Sequence, residues 1–207
     1  MTCRTWVRPT DMEPVDITPA ANVLADLVEA TTDADLSKPT PCPEFTVANL
    51  LDHIRSFPLA LAAAGRKERG QFNDVTPSAE TNPLTGDWRA EIRQNLADMA
   101  AAWSAADAWD GMTRIAGMDS PAQMTGCVGA EEILVHTWDL AVATGREFTT
   151  TPEVIAAARF FLDATADPNR PSGTDVPFGP PTSPPANASP LDEVIALAGR
   201  DANWSAT

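Results

Sequence analysis

Positive charge is scarce in this chain: 14 lysines and arginines stand against 29 aspartates and glutamates, a net charge of -15. Such a balance repels nucleic-acid phosphates and anionic bilayer surfaces, so neither nucleic acid nor a membrane is expected as a partner. No stretch approaches the roughly 18 apolar residues of a membrane span. The opening "MTCRTWVRPTDMEPVD" has no apolar segment behind its arginines to act as a secretory leader. The expected location is cytoplasmic. Cysteine occurs three times, at Cys3, Cys42 and Cys127, without CxxC or CxxxC spacing. The odd count argues against a disulfide framework and suits a reducing compartment. Cys42, in a proline-flanked turn, and Cys127, in a helical pattern, read as packing thiols. Tyrosine is missing altogether, and histidine occurs only as His53 and His136.

What remains is ordinary for a globular chain. The 207 residues are 43% hydrophobic and 21% charged, enough for one domain with a real core. Residues 1–16 lack periodicity and read as a flexible tail; 17–207 read as the folded unit. Helical patterns then follow one another. The first has Thr18 as N-cap, Pro19 at the first helical position and an apolar stripe of Val23, Leu24, Leu27 and Val28. The second starts after Thr46 and places Val47, Leu50, Leu51, Ile54, Phe57 and Leu61 at helical spacing, with a kink or break expected at Pro58. A polar stretch crosses to a third helix, "WRAEIRQNLADMAAAWSAADAW", with Ile92, Leu96, Met99 and Trp103 inward. Residues 110–123, "DGMTRIAGMDSPAQ", fit a short extended segment or a hairpin. The fourth helix runs from about Ala122 to Thr144 and stops at Gly145. A fifth opens on Thr151 and Pro152, and a short last one opens on Ser189 and Pro190 and stops at Gly199. Between them, residues 168–190 form a proline-rich surface loop. The fold class is therefore all-α: an antiparallel four-helix bundle with long crossover loops and a short C-terminal helix.

Within that pattern, "EEILVHTWD" at 131–139 puts a carboxylate one helical turn before a histidine. Glu132 and His136 share the apolar face of Ile133, Leu140 and Ala143; Glu131 falls on the solvent side. His53, one turn from Leu50 and from Phe57, also faces inward. Two readings are open. These are three unrelated core residues, or they are the three protein ligands of one divalent cation, with a position left for water or substrate. Asp139, three residues past His136, is placed to orient a ligand ring or to act as a base. An unpaired buried Glu132 would cost several kcal/mol, which favours a partner. The six tryptophans are dispersed core fillers, and "RKERG" at 66–70 is solvated charge.

Three blocks carry a resemblance: "TPCPEFTVANLLDHI" at 40–54, "EEILVHTWDLAVATG" at 131–145 and "FGPPTSPPANASPLDEVIALAGR" at 178–200. In this order they resemble an actinobacterial family of DinB-like proteins, related to the metal-binding N-terminal domain of mycothiol-dependent maleylpyruvate isomerase. The resemblance runs from about residue 15 onward. It implies that His53, Glu132 and His136 hold a divalent metal, usually zinc, with nickel or another divalent ion as alternatives, and that Asp139 fills the aspartate position of the V-H-x-x-D context. It also implies a low-molecular-weight thiol such as mycothiol as cosubstrate and a small electrophile as the other partner. The reaction is then S-transfer or cis-trans isomerisation, in a monomer or homodimer. Two alternatives accompany it: a non-catalytic metal- and ligand-binding stress-response protein, and thiol-independent hydrolysis with Asp139 as base. The chain ends at Thr207, short of the separate C-terminal domain of the isomerase, which leaves the electrophile open.

Overall fold

Among the described residues, proline, capping side chains and glycine punctuate the chain into six α-helices and one hairpin. The computed structural model describes residues 12–42, 45–74, 82–169 and 179–206. The helices are α1 (Thr18–Ala30), α2 (Val47–Gly65), α3 (Trp88–Trp103), α4 (Ala122–Thr144), α5 (Pro152–Thr165) and α6 (Pro190–Leu197). Between α3 and α4, strands β1 (Met112–Ile115) and β2 (Met118–Pro121) pair antiparallel, with Met112 opposite Pro121 and Ile115 opposite Met118. The protein is thus mostly helical, and the segment at 110–123 resolves as the hairpin, with its last two residues already in α4. Of the expected N-terminal tail, residues 1–11 lie outside the described residues. Val15 is buried, and the Met12 carbonyl accepts a hydrogen bond from the Gln123 side chain. Of the proline-rich loop, residues 170–178 lie outside the described residues.

Local chemistry explains most boundaries. Thr46 accepts from the Asn49 amide while the Asn49 side chain accepts from the Thr46 amide, a reciprocal cap that starts α2. Ser189 caps α6 in the same reciprocal way with Asp192, whereas at α5 the Thr151 hydroxyl accepts from the Val154 amide; each cap is followed by proline. At α1 the cap is Ile17, one residue earlier than expected, and the Asp16 carboxylate accepts from the Thr18 amide. α2 does not end at Pro58. It continues to Gly65 with Pro58 buried, because the apolar residues beyond it pack against α3 and outweigh one lost backbone hydrogen bond. α3 is shorter than its pattern: it stops at Trp103, and Trp109 folds back in a T-shaped contact at 5.3 Å, its indole N–H donating to the Trp103 carbonyl.

α1 and α2 each pack against both α3 and α4, α5 covers α4, and α6 lies on α5. α4 is therefore the central element, buried along nearly its whole length. Glycine at its N-terminal half lets neighbours approach: a Cβ at Gly126 would meet the Trp109 ring at 2.5 Å. Among the described residues no helix is long and apolar enough to cross a membrane.

Candidate metal centre

The central position of α4 brings its polar residues into the core. Glu132 and His136, one turn apart, face α2, and α2 presents His53 to them. One carboxylate oxygen, Glu132 Oε2, lies 3.1 Å from Nε2 of His53 and 3.1 Å from Nε2 of His136. The two imidazole rings meet edge to face at 4.7 Å, and Phe57 stands 5.5 Å from the His53 ring and 6.2 Å from that of His136. The side chains of Glu132 and His136 are 14% and 10% exposed, whereas that of His53 is 33% exposed. Solvent therefore reaches the cluster from the His53 side.

The three ligand atoms of His53, Glu132 and His136 lie within 4.8 Å of one another. Nitrogen and oxygen ligands about 2.0–2.1 Å from a tetrahedral ion stand about 3.3 Å apart, close to the two 3.1 Å contacts. The donor set is also suitable. Two imidazoles and a carboxylate match a divalent cation of borderline softness, and three protein ligands leave a coordination position free. Nδ1 of His136 is held at 3.0 Å by Asp139 Oδ2, the outer contact that fixes a ligating imidazole in one tautomer. The residues present fit a divalent metal.

Charge in the cluster is arranged by burial and by partners. Burial works against the Glu132 carboxylate, but hydrogen bonds from His136 and His53 hold it well below the usual carboxylate range. Burial opposes the His136 imidazolium, yet Asp139 and Glu132 together push its pKa up to about 9. Asp139 is fully buried; the adjacent Arg200 guanidinium and His136 overcome the burial and lower its pKa. Arg200, from the turn that follows α6, is 4% exposed.

The structure brings all four expected residues together and corrects the reading of Glu131. It does not face solvent: it is 1% exposed, and neither carboxyl oxygen has a hydrogen-bond partner. Burial, followed by the neighbouring Glu132 carboxylate, raises its pKa well above the ordinary value. A group whose folded pKa is raised above 4.5 binds more protons folded than unfolded, so its contribution to stability declines as pH rises past the unfolded value. Glu131→Gln is expected to stabilise the metal-free protein at pH 7, because the neutral amide removes the cost of ionising a buried carboxyl group. Its gain should shrink toward pH 4. Urea unfolding at both pH values checks this, and equal stability of the two proteins at pH 7 would contradict it.

Two further residues near the centre escape a reading by local pattern. Arg200 follows a helix-stop glycine, where a lone arginine reads as surface charge. Cys42 is half-buried and lies within electrostatic reach of Arg200, Asp139 and Glu132, although burial above all pushes its thiol up to about 11. Neither has a periodic signal, since both reach the centre across the tertiary fold.

Known proteins of similar sequence and shape bear on this geometry. Two Mycobacterium tuberculosis proteins, "Uncharacterized protein MT0763" from strain CDC 1551 and "Uncharacterized protein Rv0738" from strain H37Rv, are each 28% identical over 189 residues. The alignment covers 87% of this chain and 88% of theirs. Crystal structures of mycothiol-dependent maleylpyruvate isomerase, as a histidine-to-alanine mutant and as the unmutated enzyme, superpose with TM-scores of 0.56 and 0.54. They share 18% and 17% identity and cover 74% of this chain and 70% of theirs. At that identity the match speaks to the fold. The sequence pattern of the mycothiol maleylpyruvate isomerase N-terminal domain matches residues 17–141, a span that contains His53, Glu132, His136 and Asp139, and the chain belongs to that family.

Proposed function

We propose that this protein is a divalent-metal-dependent enzyme that uses a low-molecular-weight thiol, of the mycothiol kind, for S-transfer to a small electrophile or for its cis-trans isomerisation. The observation that carries the reading is the three-ligand cluster with one open side: His53 Nε2, Glu132 Oε2 and His136 Nε2 converge where solvent enters past His53. Membership of the mycothiol isomerase domain family supports the thiol. In this reading His53, Glu132 and His136 hold the cation, with zinc the best match to the donor set, and residues 17–207 act as one DinB-like four-helix bundle unit in the cytoplasm. A bound divalent cation lowers the pKa of a coordinated thiol and so supplies thiolate at neutral pH.

The chain's own residues divide the remaining work. Asp139 holds the proton on Nδ1 of His136, so that Nε2 points into the centre. Phe57 forms an apolar wall beside both imidazoles and limits the water that can compete with the thiol. The sulfur adds to an electrophilic carbon. With a conjugated cis alkene, addition turns the double bond into a rotatable single bond, and elimination of the thiol after rotation leaves the trans isomer and regenerates the thiol. With a leaving group on the carbon, the bond to that group breaks as the carbon–sulfur bond forms, the group departs with the bonding pair and takes up the thiol's proton, and the sulfur stays attached.

Elemental analysis of the purified protein is expected to find one divalent ion per chain. Turnover of an electrophile panel should require thiol, and His136→Ala should lower it by more than the roughly 100-fold that loss of an outer-sphere partner can cost. Metal-free protein, or His136→Ala with full thiol-dependent turnover, would sink the reading. Thiol binding without product would favour the non-catalytic alternative.

A further inference from the structure

Asp139 is the outer partner of His136, yet a carboxylate can rotate about its terminal bond, and something must set its plane. We propose that Arg200 is a positioning residue of the centre: its guanidinium locks Asp139, and through Asp139 it fixes the ring of His136 with Nε2 aimed at Glu132 and His53. The inference rests on the reading of the cluster as a metal site. Arg200 Nη2 donates to Asp139 Oδ2 at 3.1 Å and Nε lies 3.4 Å from Oδ1, so two prongs of one rigid fork engage both carboxylate oxygens. The same Oδ2 accepts from Nδ1 of His136 at 3.0 Å. Arg200, Asp139, His136 and Glu132 thus form one continuous line from the C-terminal segment to the point where the three ligand atoms meet.

The fork is itself held. Arg200 Nη1 donates to the Ala198 carbonyl at 2.9 Å, the Arg200 amide donates to the Ile195 carbonyl, and the Arg200 carbonyl accepts from the Thr182 hydroxyl at 2.5 Å. The turn that delivers it depends on Gly199, which has a φ of +82° and whose missing Cβ would lie 3.1 Å from the backbone of Gly179 and Pro180. A side chain there is disfavoured by both backbone conformation and space. α6 and the segment at 179–182 therefore place one buried cation against α4 with little freedom. Arginine suits the task and lysine does not: a planar fork gives two donors to the carboxylate and a third to a carbonyl, while an ammonium is a point charge without that geometry.

The role separates from simple packing by what it predicts at His136. Zinc affinity, read by competition with a chromophoric chelator, is expected to fall 10–100-fold in Arg200→Gln, the range typical of losing an outer partner of a metal ligand. In Arg200→Lys, which keeps the charge and loses the fork, it is expected to fall about tenfold. Nitrogen-15 spectra of the imidazoles report the tautomer directly. With only two histidines in the chain, a His53→Gln variant assigns both. Zinc-loaded wild type is expected to carry the His136 proton on Nδ1; both Arg200 variants should show a shifted or exchange-broadened His136 signal with that of His53 unchanged. Zinc bound by Arg200→Gln or Arg200→Lys with wild-type affinity and an unaltered His136 signal overturns the Arg200 role alone. Wild type that binds no stoichiometric zinc overturns the metal reading and this inference with it. Should Arg200→Gln not fold, the lysine variant decides by the same two measurements.

Discussion

Asp139→Ala is expected to destabilise the metal-free protein by about 3–5 kcal/mol, the cost of leaving a buried charge without its partner. Two features account for the size. Arg200 is 4% exposed and Asp139 is fully buried, so water cannot replace the lost carboxylate. Asp139 also accepts from His136, so one substitution strands donors on two side chains. Urea unfolding with linear extrapolation reads the loss. A double-mutant cycle separates stranding from packing: Arg200→Met placed on top of Asp139→Ala removes the orphaned charge, and part of the stability should return. The pH dependence has a definite sign. The folded pKa of Asp139 is lowered from 3.8, so its contribution is complete above that value and is lost as pH falls. A loss below 1 kcal/mol near pH 7 would show that the pair is not the buried anchor it looks to be.

Metal affinity is expected to rise about tenfold for each pH unit between pH 6 and 9, roughly 10³ in all. In the metal-free protein His136 has its pKa pushed up to about 9 by Asp139 and Glu132 against the opposing effect of burial. Nε2 therefore carries a proton through neutral pH, and an ion must displace it before that nitrogen can ligate. Calorimetric titration in buffers of different ionisation enthalpy should find at least one proton released per ion near pH 7. Stability of the metal-free fold runs the other way. A histidine raised from 6.5 to about 9 stabilises fully below pH 6.5, by about 3 kcal/mol shared with its partners, and loses this as pH rises through 9. Alkaline pH thus loosens the empty centre and strengthens the loaded one. Affinity that stays level from pH 6 to 9 would mean that His136 is already neutral in the empty protein.

Much of this arrangement is legible in one dimension. Capping pairs such as Thr46 with Asn49, proline at helix starts and Gly145 at the end of α4 act within a few residues, so local chemistry sets those boundaries. Glu132 and His136 are readable together because one helical turn joins them, and His53 because it sits among Leu50, Ile54 and Phe57 on the buried side of α2. Where a boundary depends on packing, local rules fail. Pro58 is overridden by the apolar residues after it, and α3 stops early because Trp109 turns back onto Trp103.

Glu131 shows the limit most clearly. α4 is buried along nearly its whole length, so its sequence has no polar stripe from which inside and outside can be told apart. A residue one position from a ligand looks solvent-facing until the fold is seen to bury that side as well. Arg200 and Asp139 are 61 residues apart in sequence, and no periodicity or capping rule spans that separation. The sequence by itself determined the helices, those of their ends that are set by local caps, and three metal-ligand candidates, because each depends on neighbours within one or two turns. Only the tertiary structure decided that Glu131 is buried without a partner, that Cys42 lies near the centre and that Arg200 anchors Asp139, because burial and charge pairing are properties of surfaces that meet only when the chain is folded.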